Sequence, residues 1–434
     1  MNELIRSVLE AGTYFVVSDF KRQREITAKV QACVLDAAAE IVGSAARTDL
    51  ARRGLQHLHL HLPPEAIAQV RDRVMPVMRP DLFRFACEIG EGLLGLDREF
   101  FVDDYTILRI NYPYEAGLQA TDKAENPGIG RTDPKTRTLA NSTQKRDDRY
   151  DPKAYHKHTP PASWAHGPHK DTWTGHSRHG INLWWAMNDV VEDNAMIFYP
   201  STFGKAYEAD PRSLYVAAGY RMPKPHKMAL HAGELLVFNP EMLHATHLNT
   251  SGLTRLALSC RINPSEPKFD PDCFYAREFW HSSDDIRQGR MDVIRQFRRE
   301  ENFAERPARQ VQAPVARAEH TVLSTVAAGD GWDTLPRARL DPKADRQLLQ
   351  LSSGQQVMLC REGESWSAVQ SSCPHLDIGL MDGHCEAGLV YCPAHGVAFS
   401  LASGQSASPL LRLQTYDLQF EPTVLRLKAR ALLP

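Results

Sequence analysis

Two short segments of this chain mix a thiol with an imidazole. One is SSCPHLDIG at 371–379 and the other YCPAHGVAF at 391–399. Cys373 and His375 are followed, after sixteen intervening residues, by Cys392 and His395. Two thiolates and two neutral imidazoles in this arrangement suit a two-iron centre in which sulfur ligands hold one iron and nitrogen ligands the other. Each loop then contributes one ligand of each kind, so two tight turns can pinch the cluster from opposite sides. Pro374 and Pro393 stiffen the turns, and Gly396 permits a close backbone approach. A structural zinc site is the competing reading. Zinc fingers group their cysteines together and their histidines together, whereas here each pair is mixed.

A second metal pattern lies upstream. PHKDTW at 168–173 contains His-x-Asp, and in extended chain His169 and Asp171 point to one face. One more imidazole completes a two-histidine, one-carboxylate triad, which leaves open positions on Fe(II) for cosubstrate and oxygen. The apolar run Glu234–Phe238 reads as a strand, and NPEMLHATHLNT after it offers His244 and His247. Arg255 opens another strand, TRLALSCRI at 254–262, eleven residues after His244. Alternation places Arg255, Ala257, Ser259 and Arg261 on one face, and the small neighbours leave room for a carboxylate gripped by two parallel hydrogen bonds. Arg109, in YTILRINY, faces either this pocket or a surface carboxylate. Trp173 and Trp184 either wall the pocket or belong to the core.

The elements that must position these residues are mostly strands. Residues 1–100 read as mainly helical, with apolar positions at helical intervals over Glu25–Ala46 and Pro64–Val77. The segment 56–62, QHLHLHL, alternates with period two and reads as a strand face or a helix edge. Tyr105–Tyr112, Gly180–Met187, Ala195–Tyr199, Glu234–Phe238 and Thr254–Ile262 read as strands of a sandwich or barrel. The polar stretch 115–162 holds almost no aliphatic residues and reads as a flap over the site. A charged helix is expected over Asp284–Glu301, then a linker over 304–321 centred on AERPARQVQAPVAR, then a β-rich unit over 322–434. His156, His158, His166, His176 and His179 read as lid or surface residues, and His384 and Cys385 as surface residues of a connecting turn.

Bulk properties narrow the setting. The 434 residues exceed one ordinary domain, and 42% hydrophobic content suits globular cores. A net charge of −2 gives no reason to expect nucleic acid or an anionic membrane as partner. No apolar run reaches the roughly 20 residues of a membrane span, and MNELIRSVLEAG lacks the apolar core of an export signal. A cytoplasmic enzyme with reduced thiols is therefore expected, and its eight cysteines read as metal ligands before disulfides.

Over about 347–408 the cysteine–histidine loops resemble the Rieske [2Fe–2S] ferredoxin family, including the SLASGQ strand and turn after the second loop. Ile378 and Ala394 stand where respiratory-chain members carry an extra disulfide, so the resemblance is to soluble ferredoxin and oxygenase-component types of lower potential. Over about 105–262, PHKDTW, EDNAMIFYPSTFGK and LHATHLNTSGLTR resemble the phytanoyl-CoA dioxygenase-like branch of Fe(II)/2-oxoglutarate oxygenases. In that pattern the ligand histidine precedes the asparagine, here Asn249, by five, which selects His244 over His247. The resemblance implies a double-stranded β-helix (jelly roll). It also implies Fe(II) on His169, Asp171 and His244, 2-oxoglutarate anchored by Arg255, and cosubstrate contacts from Trp184 and Thr246. Asp171 occupies the position that halogenating relatives leave open, which argues against halogenation.

The expected fold is mainly β with N-terminal helices, a jelly roll (core about 105–265 within an oxygenase domain 1–303) followed by a small Rieske β-domain. The leading functional reading is a 2-oxoglutarate-dependent dioxygenase that hydroxylates or desaturates a small-molecule substrate, with the fused cluster supplying or buffering electrons. A Rieske-type oxygenase fed by an external ferredoxin reductase is the second reading, and a non-catalytic redox sensor the third. A homo-oligomer is expected if the cluster serves a neighbouring subunit.

Overall fold

The computed structural model describes residues 3–104, 106–116, 165–174, 176–210, 215–269, 277–298 and 313–431. Most of the polar stretch 115–162, with His156 and His158, and the first half of the linker lie outside these residues. The chain divides into two compact units, 1–216 with 226–313, and 217–225 with 314–434.

The first unit begins with helices α1 (Glu3–Ala11), α2 (Gln23–Val42), α3 (Ser44–Arg53) and α4 (Ile67–Glu88). α2 buries Ile26, Val30, Val34, Ala37 and Ala38 at three- and four-residue intervals, the stripe of a core-facing helix. α4 runs past Val77 to Glu88 through Pro76 and Pro80. Such prolines cost about 3 kcal/mol each in a helix interior. Burial of Val70, Val74, Met78, Leu82, Phe83 and Phe85 offsets this, at roughly 1.5–3 kcal/mol for each large side chain.

The QHLHLHL segment is no strand but a 3-10 helix, Leu55–Leu60. Leu55, Leu58 and Leu62 are buried while Leu60 is 54% exposed, so three-to-four spacing defeats the alternation. His59 and His61 are engaged with Thr254 and Asp49 at 2.8 and 2.9 Å.

The strands are β1 (Phe15–Val17), β2 (Phe101–Asp103), β3 (Ile107–Asn111), β4 (Ile181–Ala186), β5 (Met196–Phe198), β6 (Lys205–Ala206), β7 (His226–Met228), β8 (Leu235–Phe238), β9 (His244–Thr246), β10 (Arg255–Asn263), β11 (Arg277–Ser282) and β12 (Arg295–Arg298). The large sheet runs β1-β8-β4-β10, then β2-β11-β12, with β3 also paired to β10. The small sheet is β7-β5-β9. β10 sorts its side chains by alternation. Leu256, Leu258 and Ile262 join the core under the helices, while Ala257 packs with Trp184, Ala186, Met196, Phe198, Leu236 and Phe238 between the sheets. This is the jelly-roll arrangement, with β10 and β9 facing a common interior.

The charged segment after residue 283 is not one long helix. Its helix spans only Ser283–Arg287, capped by the Ser282 side chain, and ends before Gly289 at φ +75°. The chain then returns as β12 beside β11, with Asp285 paired to Arg290 and Arg295.

In the second unit an eight-stranded sheet orders Val322–Ser324, Arg346–Gln350, Gln356–Glu362, Ser365–Gln370, Thr415–Phe420, Val424–Ala429, Trp332–Pro336 and Val326–Ala327. Leu335, Leu349, Val357, Leu359, Tyr416, Leu425 and Leu427 fill its core. Residues 217–225 pack in this unit, where the backbone N–H groups of Gly219 and Met222 donate to Asp382 at 2.8 Å and Arg221 pairs with Asp345 at 3.0 Å. Among the described residues no helix is long and apolar enough to cross a membrane.

Candidate metal centres

Backbone pairing draws His169 and His244 together. The His169 N–H donates to the His244 carbonyl at 2.9 Å and the reverse bond is 3.0 Å. The spacing predicts an extended His-x-Asp pair, but only His169 is bridged, and Asp171 opens a 3-10 turn, Asp171–Thr174. The Asp171 N–H donates to Pro240 at 2.9 Å, which pins that turn beside the loop leading into β9. Asp171 Oδ1 then lies 3.5 Å from His169 Nε2 and 3.7 Å from His244 Nε2. One ligand atom from each of the three buried residues falls within 4.8 Å of the others.

The surroundings prepare these atoms for a cation. His169 Nδ1 bonds the Gly167 carbonyl and His244 Nδ1 the Met242 carbonyl, both at 2.8 Å. That leaves the Nε2 lone pairs facing Asp171. Burial, then His169, pushes His244 down to about 4, so its imidazole is neutral at pH 7. Burial alone would raise Asp171, yet Arg261, His169 and His244 more than offset it and hold the carboxyl well below the usual range. Two imidazoles and one carboxylate oxygen form a donor set that fits ferrous iron.

Sequence reading missed the residues that orient Asp171. Its Oδ2 accepts from Asn182 Nδ2 at 2.7 Å and Arg261 Nη2 at 3.1 Å, and Arg261 Nη1 binds Asp103 at 3.0 Å. The register pairs Arg261 with Asn182, so both rise from neighbouring strands on one face. Position of Arg261 on the same alternation as Arg255 was the available signal. His166 and His176, read from sequence as lid or surface residues, stand against the triad instead. The His166 ring lies 5.3 Å from that of His169, and the His176 N–H donates to the Asp171 carbonyl at 3.2 Å. Backbone bonds on both sides of the turn hold this segment in place. His247 takes the opposite face of the chain from His244 and Thr246, with Nδ1 on the Leu248 carbonyl at 2.6 Å, and burial pushes it down to about 3.

Arg255 is 4% exposed. It donates to the Asn194 carbonyl at 2.6 Å and lies over the Trp184 ring at 5.5 Å, while its buried Nε has no partner among the described residues. No carboxylate pairs with it there. Burial, then the charge of Arg109, lowers it to about 9, so it remains a cation at pH 7. Thr246 lies two residues beyond His244 on β9, opposite Met196. Trp173 is buried beside the Lys170 ammonium, 5.8 Å from its ring centre.

In the second unit, Cys373 closes the hairpin of Ser372–Cys373 with Ile378–Gly379. Cys392 follows Leu389–Tyr391, and its N–H donates to Val397 at 2.8 Å. Gly396, at φ +67°, donates back to the Cys392 carbonyl at 3.0 Å, a turn that a side chain would strain. All four residues are at most 4% exposed, and the His375 and His395 rings are 5.2 Å apart. Burial, then His395, pushes His375 down to about 2, which leaves the neutral imidazole that binds metal. The Cys373 and Cys392 thiols touch, and their hydrogen bond favours the thiolate on Cys392 and disfavours it on Cys373. Two thiols and two imidazoles, buried and convergent, fit a two-iron cluster. His384 and Cys385 are not in a turn but on the strand His384–Glu386, where Cys385 meets the buried Cys360.

Residues 52–257 match the phytanoyl-CoA dioxygenase (PhyH) family model, and residues 338–417 match the Rieske [2Fe-2S] domain model. The chain joins a PhyH domain to a Rieske domain. The ferredoxin component of an alkene monooxygenase system from Xanthobacter autotrophicus (strain ATCC BAA-1158 / Py2) is 34% identical over 68 residues, which are 15% of this chain. The chain spans 56% of the length of that curated relative. Among solved structures, the ferredoxin of carbazole 1,9a-dioxygenase from Nocardioides aromaticivorans IC177 is 24% identical, with TM-score 0.20, over 22% of this chain and 95% of its own. The non-heme α-ketoglutarate-dependent carbocyclase SnoK from nogalamycin biosynthesis is 14% identical, with TM-score 0.31, over 60% of this chain and 83% of its own. The epimerase SnoN, in complex with Fe3+, α-ketoglutarate and nogalamycin RO, is 14% identical, with TM-score 0.33, over 62% and 86%.

Proposed function

We propose that this chain is a 2-oxoglutarate-dependent dioxygenase that hydroxylates or desaturates a small molecule. The observation that carries the reading is Arg255, a buried guanidinium with no carboxylate partner among the described residues. A charge removed from water without a counter-ion costs several kcal/mol, which a bound dicarboxylate would recover. The side chain rises from β10 into the same interior as the triad, as the far carboxylate of 2-oxoglutarate requires.

In this reading His169, Asp171 and His244 hold Fe(II), with Asn182 and Arg261 fixing the carboxylate. Ferrous iron supplies the oxygen-activating chemistry when bound. Arg255 receives the distal carboxylate of the cosubstrate through two parallel hydrogen bonds, against the face of Trp184. Thr246, beside His244, offers a hydroxyl to the same ligand. Cys373, His375, Cys392 and His395 would hold the [2Fe–2S] cluster, which would supply one-electron transfer chemistry when bound. Residues 1–303 are assigned to the oxygenase and 322–434 to the cluster domain, with 304–321 between them.

The test is anaerobic metal and spectral analysis, followed by oxygen uptake. Three irons per chain, a charge-transfer band on adding 2-oxoglutarate, and one succinate per oxygen consumed are expected. Turnover that ignores 2-oxoglutarate and requires a reductase would replace this reading with a second one, an oxygenase fed entirely through its cluster. The presence of the cluster on the same chain as the oxygenase favours that alternative.

A further inference from the structure

Arg109 is an inward-facing cation of β3 that the proposed reaction does not use. Register places it directly opposite Ala257, and places Asn111 opposite Arg255. Paired residues share a face, so Arg109 rises beside Arg255 from the adjacent strand, on the inter-sheet side. Its neighbours Leu108 and Ile110 turn the other way, into the core under the helices. Diagonal partners of this kind are about 7–8 Å apart at the backbone, within reach of long side chains. Ala257 contributes only a methyl group between the two guanidiniums.

Among the described residues, no carboxylate pairs with Arg109 or Arg255. Asp103 and Asp171 are the carboxylates at the inner end of the site, and both are taken up by Arg261. Arg255 bonds only a backbone carbonyl. Arg109, partly exposed, makes no ion pair and no side-chain hydrogen bond among the described residues. Two uncommitted cations side by side repel unless anions lie between them. One dicarboxylate on Arg255 satisfies one of them.

We infer that Arg109 is a specificity-determining residue that binds an oxyanion of the substrate, a carboxylate or a phosphate, separate from the cosubstrate anchor. The inference rests on the assignment of Arg255 to 2-oxoglutarate. A guanidinium matches either oxyanion bidentately and discriminates against neutral isosteres. An anionic handle would orient the substrate C–H bond, while Arg255 orients the cosubstrate.

The test uses the holoprotein, anaerobic and saturated with 2-oxoglutarate, with binding read by calorimetry and tryptophan fluorescence. Benzoate, phenyl phosphate and neutral benzamide are the probes, and the first two separate carboxylate from phosphate preference. Wild type is expected to bind one anion at least about 10-fold more tightly than benzamide. Arg109→Gln should abolish that preference and Arg109→Lys should retain part of it. The 2-oxoglutarate affinity of Arg109→Gln should stay within about 2-fold of wild type, while Arg255→Gln shows the reverse pattern. Absence of any anion preference in wild type overturns the inference. So does its survival in Arg109→Gln, or an equal loss of 2-oxoglutarate affinity in both variants. If 2-oxoglutarate fails to bind wild type while anion binding still depends on Arg109, the cosubstrate assignment fails and the anion site stands.

Discussion

Replacement of Arg261 by methionine tests the buried ion network behind the triad. Arg261, Asp103 and Asp171 are each at most 5% exposed, and one guanidinium serves both carboxylates at 3.0 and 3.1 Å. Methionine fills much of the volume but removes the guanidinium that Asp103 and Asp171 share. Removing one partner of a buried pair costs about 3–5 kcal/mol, because the remaining charge is stranded in a poorly polarisable interior. Asn182 still donates to Asp171 at 2.7 Å, so the carboxylate keeps one orienting bond, and metal affinity should fall about 10–100-fold. The second variant, Arg261→Met with Asp103→Asn, removes one stranded charge and should recover about 1–3 kcal/mol. The assay is urea unfolding of metal-free protein followed by tryptophan fluorescence, paired with anaerobic Fe(II) titration. A single-variant cost below about 1 kcal/mol, or strict additivity in the double variant, would refute the claim that these charges form one network.

Arg255→Met should weaken 2-oxoglutarate binding by about 1.5–3 kcal/mol, the range for hydrogen bonds to a charged group, with Fe(II) affinity nearly unchanged. Loss of the charge-transfer band at cosubstrate concentrations that saturate wild type would report it. Cys392→Ala should remove the [2Fe–2S] absorbance and its electron-spin resonance signal while leaving one mononuclear iron per chain by metal analysis. Retention of the cluster signal would rule out Cys392 as a ligand. The metal-free protein should also lose stability in acid through His244, whose pKa drops from 6.5 to about 4 on folding. Between those values the unfolded chain takes up the proton first, so stability is full above pH 6.5 and declines toward pH 4, by roughly 3 kcal/mol at most. Urea midpoints measured from pH 7.5 to 4.5, compared with His244→Gln, check the slope, and an equal slope in the variant would remove His244 as its source.

The sequence by itself determined what depends on short stretches of chain. Cysteine and histidine within one turn of each other must present their donors together, so the loops at 373–375 and 392–395 were legible without a fold. Alternation along β10 was legible too, because strand geometry leaves a side chain only two directions; it separated Arg255 and Arg261 from Leu256 and Leu258 before any partner was known. Local pattern failed where packing overrode it. QHLHLHL has the period of a strand, but Leu55, Leu58 and Leu62 gain more burial in a 3-10 helix, and the segment after residue 283 has the charges of a helix but returns as a strand. The tertiary structure alone decided which distant residues share a site. Asn182 and Arg261 converge on Asp171, and Asp103 on Arg261, only because β2, β4 and β10 are neighbours in one sheet, and His166 and His176 reach the triad only because backbone bonds fold their segment against β9. Charge balance in the interior is likewise a property of the assembled sheets. A guanidinium in a sequence has no address until the strands beside it show whether an acid stands opposite, and for Arg109 and Arg255 none does among the described residues.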